Sequence, residues 1–118
     1  MYIACAVLPV NADNKNKYLE AAEWMANWSI EQGALEVMEA WEQEVPDGKV
    51  TDYRRAVAAK PDEKIVTGWV IWPDKETFDK ANAAMMNGEG MPDEPHEMPF
   101  DGSRLIYGGF EPVLHRKK

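Results

Sequence analysis

The sequence holds a single cysteine, Cys5, and only two histidines, His96 and His115. One thiol cannot close an intrachain disulfide, so the fold must hold by packing alone, as expected of a cytoplasmic protein. Two distant histidines and no cysteine pair give no metal-ligand spacing, and neither a metal nor another cofactor is expected. Positive charge is scarce as well: 13 Lys and Arg stand against 21 Asp and Glu, for a net charge of −8 and a pI near 4.7. A surface of that sign repels phosphate backbones and anionic bilayers, which argues against nucleic acid and membrane partners. The Arg116-Lys117-Lys118 end is too short to reverse this and reads as a frayed tail. No apolar run approaches the roughly 18 residues that span a bilayer. The apolar residues 2–10 lack a basic leader and a cleavage site, so no signal peptide is expected there.

What is present is ordinary for a globular domain, at 45% hydrophobic and 29% charged residues. A length of 118 residues points to one domain, residues 1–113 with a basic tail at 114–118, able to bury roughly two-thirds of its unfolded surface. The segment Lys64-Ile65-Val66-Thr67-Gly68-Trp69-Val70-Ile71-Trp72 carries the clearest signal. Strand side chains alternate between faces. Ile65, Trp69 and Ile71 would therefore occupy one face, and Val66, Val70 and Trp72 the other. Both faces of its sheet need cover.

Residues 2–10 form a second strand of the same two-faced kind. Asn11 and Asp13 are cap residues, and Tyr18, Ala21, Ala22, Met25, Trp28 and Ser29 mark one stripe of a helix over 14–32. Gly33 then supplies the left-handed end. Residues 34–45 read as a strand of mixed polarity, fit for a sheet edge, and Pro46-Asp47-Gly48-Lys49 as a turn. A short strand is expected around 55–58. Asp74 caps a helix to about residue 87 with Phe78, Ala81, Asn82 and Met85 inward. Residues 88–102 form a long loop with Pro92, Pro95 and Pro99. Residues 103–113 form the last strand, where Gly108-Gly109 marks a bulge or a close approach. The order is β-α-β-β-α-β, an α+β ferredoxin-like plan with a four-stranded antiparallel sheet and both helices on one face. The bare face would be apolar, and a second copy packed against it would cover it. A homodimer is expected.

Several blocks in this order resemble the YbaA-like family of small bacterial proteins, a domain of unknown function. They are Gly33-Ala34-Leu35-Glu36, Val45-Pro46-Asp47-Gly48-Lys49, Arg55-Ala56-Val57, Trp72-Pro73, Pro99-Phe100-Asp101-Gly102 and Ile106-Tyr107-Gly108-Gly109-Phe110. The chain departs from the family pattern at Tyr53-Arg54, where Phe-Pro is usual. The resemblance implies the dimeric α+β barrel group, which also holds cofactor-free monooxygenases, haem-degrading enzymes and small-molecule isomerases. It supplies no catalytic residues to transfer.

The best polar constellation is Asp47, Lys49, Arg54, Arg55, Asp101, Arg104 and Tyr107. Arg55 and Arg104 could hold a substrate carboxylate in a bidentate fork. The simpler reading pairs Arg104 with Asp101 or another acid. Trp41, Trp69 and Trp72 could line an apolar pocket between helices and sheet or inside the barrel, and packing accounts for at least two of them. Cys5 reads as a small core residue. His96 lies among Asp93, Glu94 and Glu97, and Met91, Met98 and Phe100 could fold as a lid. The favoured expectation is a dimer that binds a small apolar or aromatic molecule through Trp41, Arg55, Trp69, Trp72, Arg104 and Tyr107. The alternatives are a cofactor-independent monooxygenase- or isomerase-type enzyme using Tyr107, His96 and Arg104, and a protein-interaction module.

Overall fold

The structure, a computed structural model, describes residues 1–88 and 99–118. In chain order it contains β1 (Tyr2–Asn11), α1 (Lys15–Glu31), β2 (Glu36–Trp41), α2 (Tyr53–Ala56), β3 (Glu63–Trp72), α3 (Lys75–Met86) and β4 (Ile106–Phe110). The strands form one four-stranded antiparallel sheet in the order β2-β3-β1-β4. This is the ferredoxin-like plan expected from the alternation pattern, with one extra helical turn, α2. The two longest strands lie at the centre, paired from Tyr2 with Trp72 to Asn11 with Glu63.

Local chemistry sets the element ends. The Asn11 side chain accepts from the Asp13 amide at 2.9 Å and caps the 3-10 turn that leads into α1. Gly33, at φ +111°, closes that helix. Asp74 accepts from the Thr77 amide and hydroxyl, both at 2.7 Å, and so caps α3. The expected strand near residue 55 is instead the helical turn α2. Asp52 accepts from the Arg55 amide at 2.8 Å and its carbonyl takes the Ala56 amide at 2.9 Å, which winds the chain before it can extend. The strand β4 is shorter than expected, and Arg104 lies in a 3-10 turn before it. Asn82 is exposed, and Ala84 packs inward with Phe78, Ala81 and Met85.

The even-numbered residues of β1 and β3 face α1 and α3. They build two separate core clusters. In one, Ala4 and Trp72 pack with Trp28, Ala34 and Ala81. In the other, Leu8, Val10 and Val66 pack with Tyr18. Fully burying a side chain such as Val66 contributes about 1.5–3 kcal/mol. The indole N–H groups of Trp28 and Trp72 find no acceptor among the described residues, a cost of about 1–3 kcal/mol each that the packing of two large rings offsets. The odd-numbered face carries Ile3, Cys5, Val7, Thr67, Trp69 and Ile71, and α1 and α3 lie on the other side. Ladder pairing through Gly108 and Gly109 is continuous, without a bulge. The glycines serve close side-chain approach: a Cβ on Gly109 would collide with the Tyr2 hydroxyl, and one on Gly108 would sit 3.3 Å from the Phe110 ring.

Candidate functional site

Between the two core clusters the register aligns one rung across all four strands. Glu39 of β2 pairs with Gly68, Gly68 with Ala6, and Ala6 with Tyr107 of β4. Directly opposed residues share a face, and the packing of Ala4 and Leu8 fixes that face as the helix side. The two central residues are the smallest available, so the floor is low where its neighbours are filled. A cavity of about 100 Å³ lies there, with Ala4, Leu8 and Val70 flanking Ala6 and Gly68 and with Glu39 and Tyr107 at the ends. Three strand spacings separate the backbones of β2 and β4, about 14 Å, and the two polar side chains reach inward over that span.

The Glu39 carboxylate is held. Tyr18, buried on α1, donates its hydroxyl to Oε2 at 2.8 Å. On the other side Gly68 makes room: a Cβ there would lie 3.0 Å from Oε2 and 3.2 Å from Cδ. Glu39 is exposed as a residue on the edge strand, and its Oε2 lies between the Tyr18 hydroxyl and Gly68. Burial pushes the Glu39 carboxyl above its ordinary value, and the Tyr18 hydrogen bond offsets part of that rise. The Tyr18 phenol is pushed up strongly, by burial first and then by the adjacent carboxylate. Burial also raises the Tyr107 phenol. Among the described residues no Lys, Arg or His lines the cavity or forms an ion pair with Glu39.

The sequence-derived candidates do not converge on one site. Arg104 forms a fork onto Glu63, 2.6 Å to each carboxylate oxygen, and also donates to Asp101 at 3.0 Å and the Ala58 carbonyl at 3.0 Å. Its hydrogen bonds hold Glu63 and Asp101 below the usual carboxylate range, with Ser103 as the first cause at Asp101, which falls to about 2. Arg54 is bound to Glu42 at 3.1 Å and to the carbonyls of Lys60 and Glu63. Arg55 bonds Asp52 at 2.9 Å and the carbonyls of Val50 and Gly48. These arginines fasten the 48–63 segment and the 101–104 turn to the start of β3. The tryptophans are divided by the sheet. Trp72 is buried and Trp41 packs beside Tyr18 on the helix side, with Lys15 Nζ 5.2 Å above the Trp41 ring. Trp69 lies on the opposite face, its Nε1 donating to Glu36 at 3.2 Å. His96, Met91, Met98, Asp93, Glu94 and Glu97 fall outside the described residues, and His115 is exposed.

Of the sequence candidates, Tyr107 and Trp69 line the helix-side cavity, and only Tyr107 lies on its face by register. Glu39 and Gly68 were not among them, and the signal for both was present. An acid between Val37 and Trp41 in a period-two run sits on an inward position. A glycine inside a strand that is apolar on both faces marks a close approach. On the opposite face, Cys5, Val7, Thr67, Ile106, Gly108 and Phe110, with Ala6 and Tyr107 at the border, line a shallow depression of about 230 Å³, and burial raises the Cys5 thiol.

The strand order and the helices on one face define the protein as an α+β domain of ferredoxin-like plan with a four-stranded antiparallel sheet. A solved neighbour shares that fold: the crystal structure of an MhuD point mutant with two manganese protoporphyrin IX molecules bound per active site. It matches with a TM-score of 0.55 and 16% identity over 100% of both chains. Residues 1–102 match the family described as "Protein of unknown function (DUF1428)". The chain belongs to that family. It is 46% identical over 113 residues to the uncharacterized protein YbaA of Escherichia coli strain K12, covering 96% of this chain and 97% of YbaA, and equally to YbaA of Shigella flexneri. Among the described residues no helix is long and apolar enough to cross a membrane.

Proposed function

We propose that the protein is a homodimeric domain that binds a small planar molecule on the helix side of its sheet, over the Glu39, Gly68, Ala6, Tyr107 rung. The carrying observation is the cavity of about 100 Å³ itself: an apolar floor closed at each end by one polar side chain. Apolar walls with a few convergent polar groups are the usual make-up of ligand sites. The porphyrin-bound MhuD neighbour supports small-molecule binding by this fold. The volume here is well below the roughly 300 Å³ at which drug-sized sites begin. It suits a single ring, and a porphyrin macrocycle does not fit it.

The dimer reading rests on the opposite face. Ile3, Val7, Trp69, Ile71 and Phe110 present an apolar surface on that face, and Val113 and Leu114, shortly after β4, are 93% and 75% exposed. A second copy about a two-fold axis would cover both the face and the tail. A monomer at micromolar concentration by light scattering would overturn it. The single unpaired Cys5 supports a reducing, cytoplasmic location. A second reading, proton-transfer catalysis of the isomerase type, is favoured by one observation: Glu39 and Tyr107 both hold their protons above their ordinary values in the same cavity.

A thermal-shift screen against small metabolites tests the binding reading. At a hundredfold excess over Kd, a ligand stabilises by about 2.7 kcal/mol, a rise of several degrees in Tm. No stabilisation by any ring-sized compound would overturn it.

A further inference from the structure

We propose that the cavity selects small planar molecules that present a hydrogen-bond donor or a positive charge, such as an amidinium, an amine or an N–H-bearing heteroaromatic ring, to the free oxygen of Glu39. This rests on the binding site proposed above and names its ligand class.

The argument is a count of donors. Tyr18 has one hydroxyl proton, and it goes to Oε2 of Glu39 at 2.8 Å. Oε1 receives no hydrogen bond from the described residues. No basic group pairs with Glu39: Lys15 Nζ sits 5.2 Å above the Trp41 ring, Arg54 and Lys64 pair with Glu42, and Arg104 pairs with Glu63. On the helix face the floor beside the carboxylate is Gly68, Ala6, Leu8 and Val70, none of which carries a side-chain donor. Cys5 and Trp69 also line the cavity but lie on the other face by register, and Trp69 Nε1 donates to Glu36. Glu39 is exposed on the edge strand, so Oε1 is open to a donor arriving from solution, and a charge-assisted hydrogen bond to it is stronger than a neutral one. A ligand N–H or cation held at the Glu39 end of the cavity would supply that bond.

The same arrangement rejects anions. A ligand carboxylate would face Glu39, which has no ion-paired cation, and a neutral ring without a donor would gain nothing from the oxygen. Gly68 is part of the device, since a Cβ there would occupy the place where the carboxylate rests. The titratable groups on this face are Tyr18 and Lys15 from α1, Tyr2 from β1, Lys64 from β3 and Tyr107 from β4, and β3 contributes none to the rung itself. Burial holds the Glu39 proton more tightly than usual, so affinity for a cationic ligand should fall as pH drops through the Glu39 titration.

Three probes of one shape test this: benzamidine, acetophenone and benzoate, titrated into the full chain and followed by NMR shifts at Ala6 and Gly68. Benzamidine should bind about ten- to hundredfold more tightly than acetophenone, and benzoate should not bind. Glu39→Gln should bring benzamidine and acetophenone to equal affinity. Tyr18→Phe keeps the carboxylate and frees its second oxygen, so it should retain benzamidine binding. Acetophenone or benzoate binding as tightly as benzamidine, with shifts at the rung, overturns the ligand class while the cavity site stands. Equal loss of benzamidine in both variants overturns the role given to Oε1. No shift at the rung with any probe, together with no response in the metabolite screen, overturns the site and the ligand class together.

Discussion

Replacing Gly68 by alanine adds one methyl group at the point where β3 meets β2. Its carbon would lie 2.7 Å from the Met38 carbonyl oxygen, 3.0 Å from Glu39 Oε2 and 3.2 Å from Glu39 Cδ. Comfortable C···O contacts begin near about 3.3 Å. The Met38 carbonyl is backbone and cannot rotate away, so β2 must shift by several tenths of an ångström. The Glu39 carboxylate is the flexible member and must swing out, which breaks its bond to Tyr18. A hydrogen bond to a charged group is worth about 1.5–3 kcal/mol, discounted here because Glu39 is partly exposed. Overpacking adds about 1–3 kcal/mol, and the loss of glycine's unfolded-state freedom returns about 0.5–1 kcal/mol. The net destabilisation is about 2 kcal/mol, a fall of roughly 5–12 °C in Tm for a chain of this size. Urea unfolding followed by tryptophan fluorescence reads it directly. Tyr18→Phe removes the same bond from the other side and should cost about 1 kcal/mol. The double variant should fall short of the sum by about 1 kcal/mol, because a bond can be lost only once. Full additivity, or a Gly68→Ala variant within about 0.5 kcal/mol of the parent, would refute the picture of a carboxylate seated over Gly68.

Glu39→Gln tests the electrostatics of the same rung. The folded carboxyl is raised above 4.5, so the folded chain holds this proton more tightly than the unfolded chain, and ionisation opposes folding at higher pH. The variant keeps an acceptor for Tyr18; its Tm should exceed the parent's at pH 7 and lose that advantage below about pH 4. Arg104→Gln should show the opposite pH signature. Glu63 and Asp101 are depressed from 4.5 and 3.8, Asp101 to about 2. Their stabilisation is therefore present above the ordinary carboxyl range and lost as pH falls from about 4 toward 2. Removing Arg104 should lower Tm at neutral pH and flatten the fall in acid, as measured by melts across that range. Phe110 is 57% exposed on the face opposite the helices, so Phe110→Glu should leave far-UV circular dichroism unchanged while halving the mass seen by light scattering.

The two-faced strands were legible from alternation alone. With β1 and β3 apolar on both sides, only a central position in a covered sheet satisfies them, and the rest of the plan followed. The site was harder to read for a physical reason. Arginines next to acids look like a ligand fork in one dimension, but Arg104 spends its donors on Glu63, 41 residues away in sequence. That contact exists only after the 101–104 turn meets the start of β3. The segment before β3 misled in the same way: Arg55-Ala56-Val57-Ala58 carries no strand or helix period, and the Asp52 cap decided it. The rung itself depends on register. Glu39, Gly68, Ala6 and Tyr107 come from four strands, and nothing local to any one of them aligns the four.

The most direct test of the binding site is methyl NMR on alanine- and valine-labelled protein in the presence of a ligand from the metabolite screen. Ala4, Ala6 and Val7 lie along the same strand, the alanines on the helix side and Val7 on the face opposite. The account predicts that the Ala6 and Ala4 methyl signals move with ligand while those of Val7 stay in place. Movement at Val7 with Ala6 unchanged would contradict it.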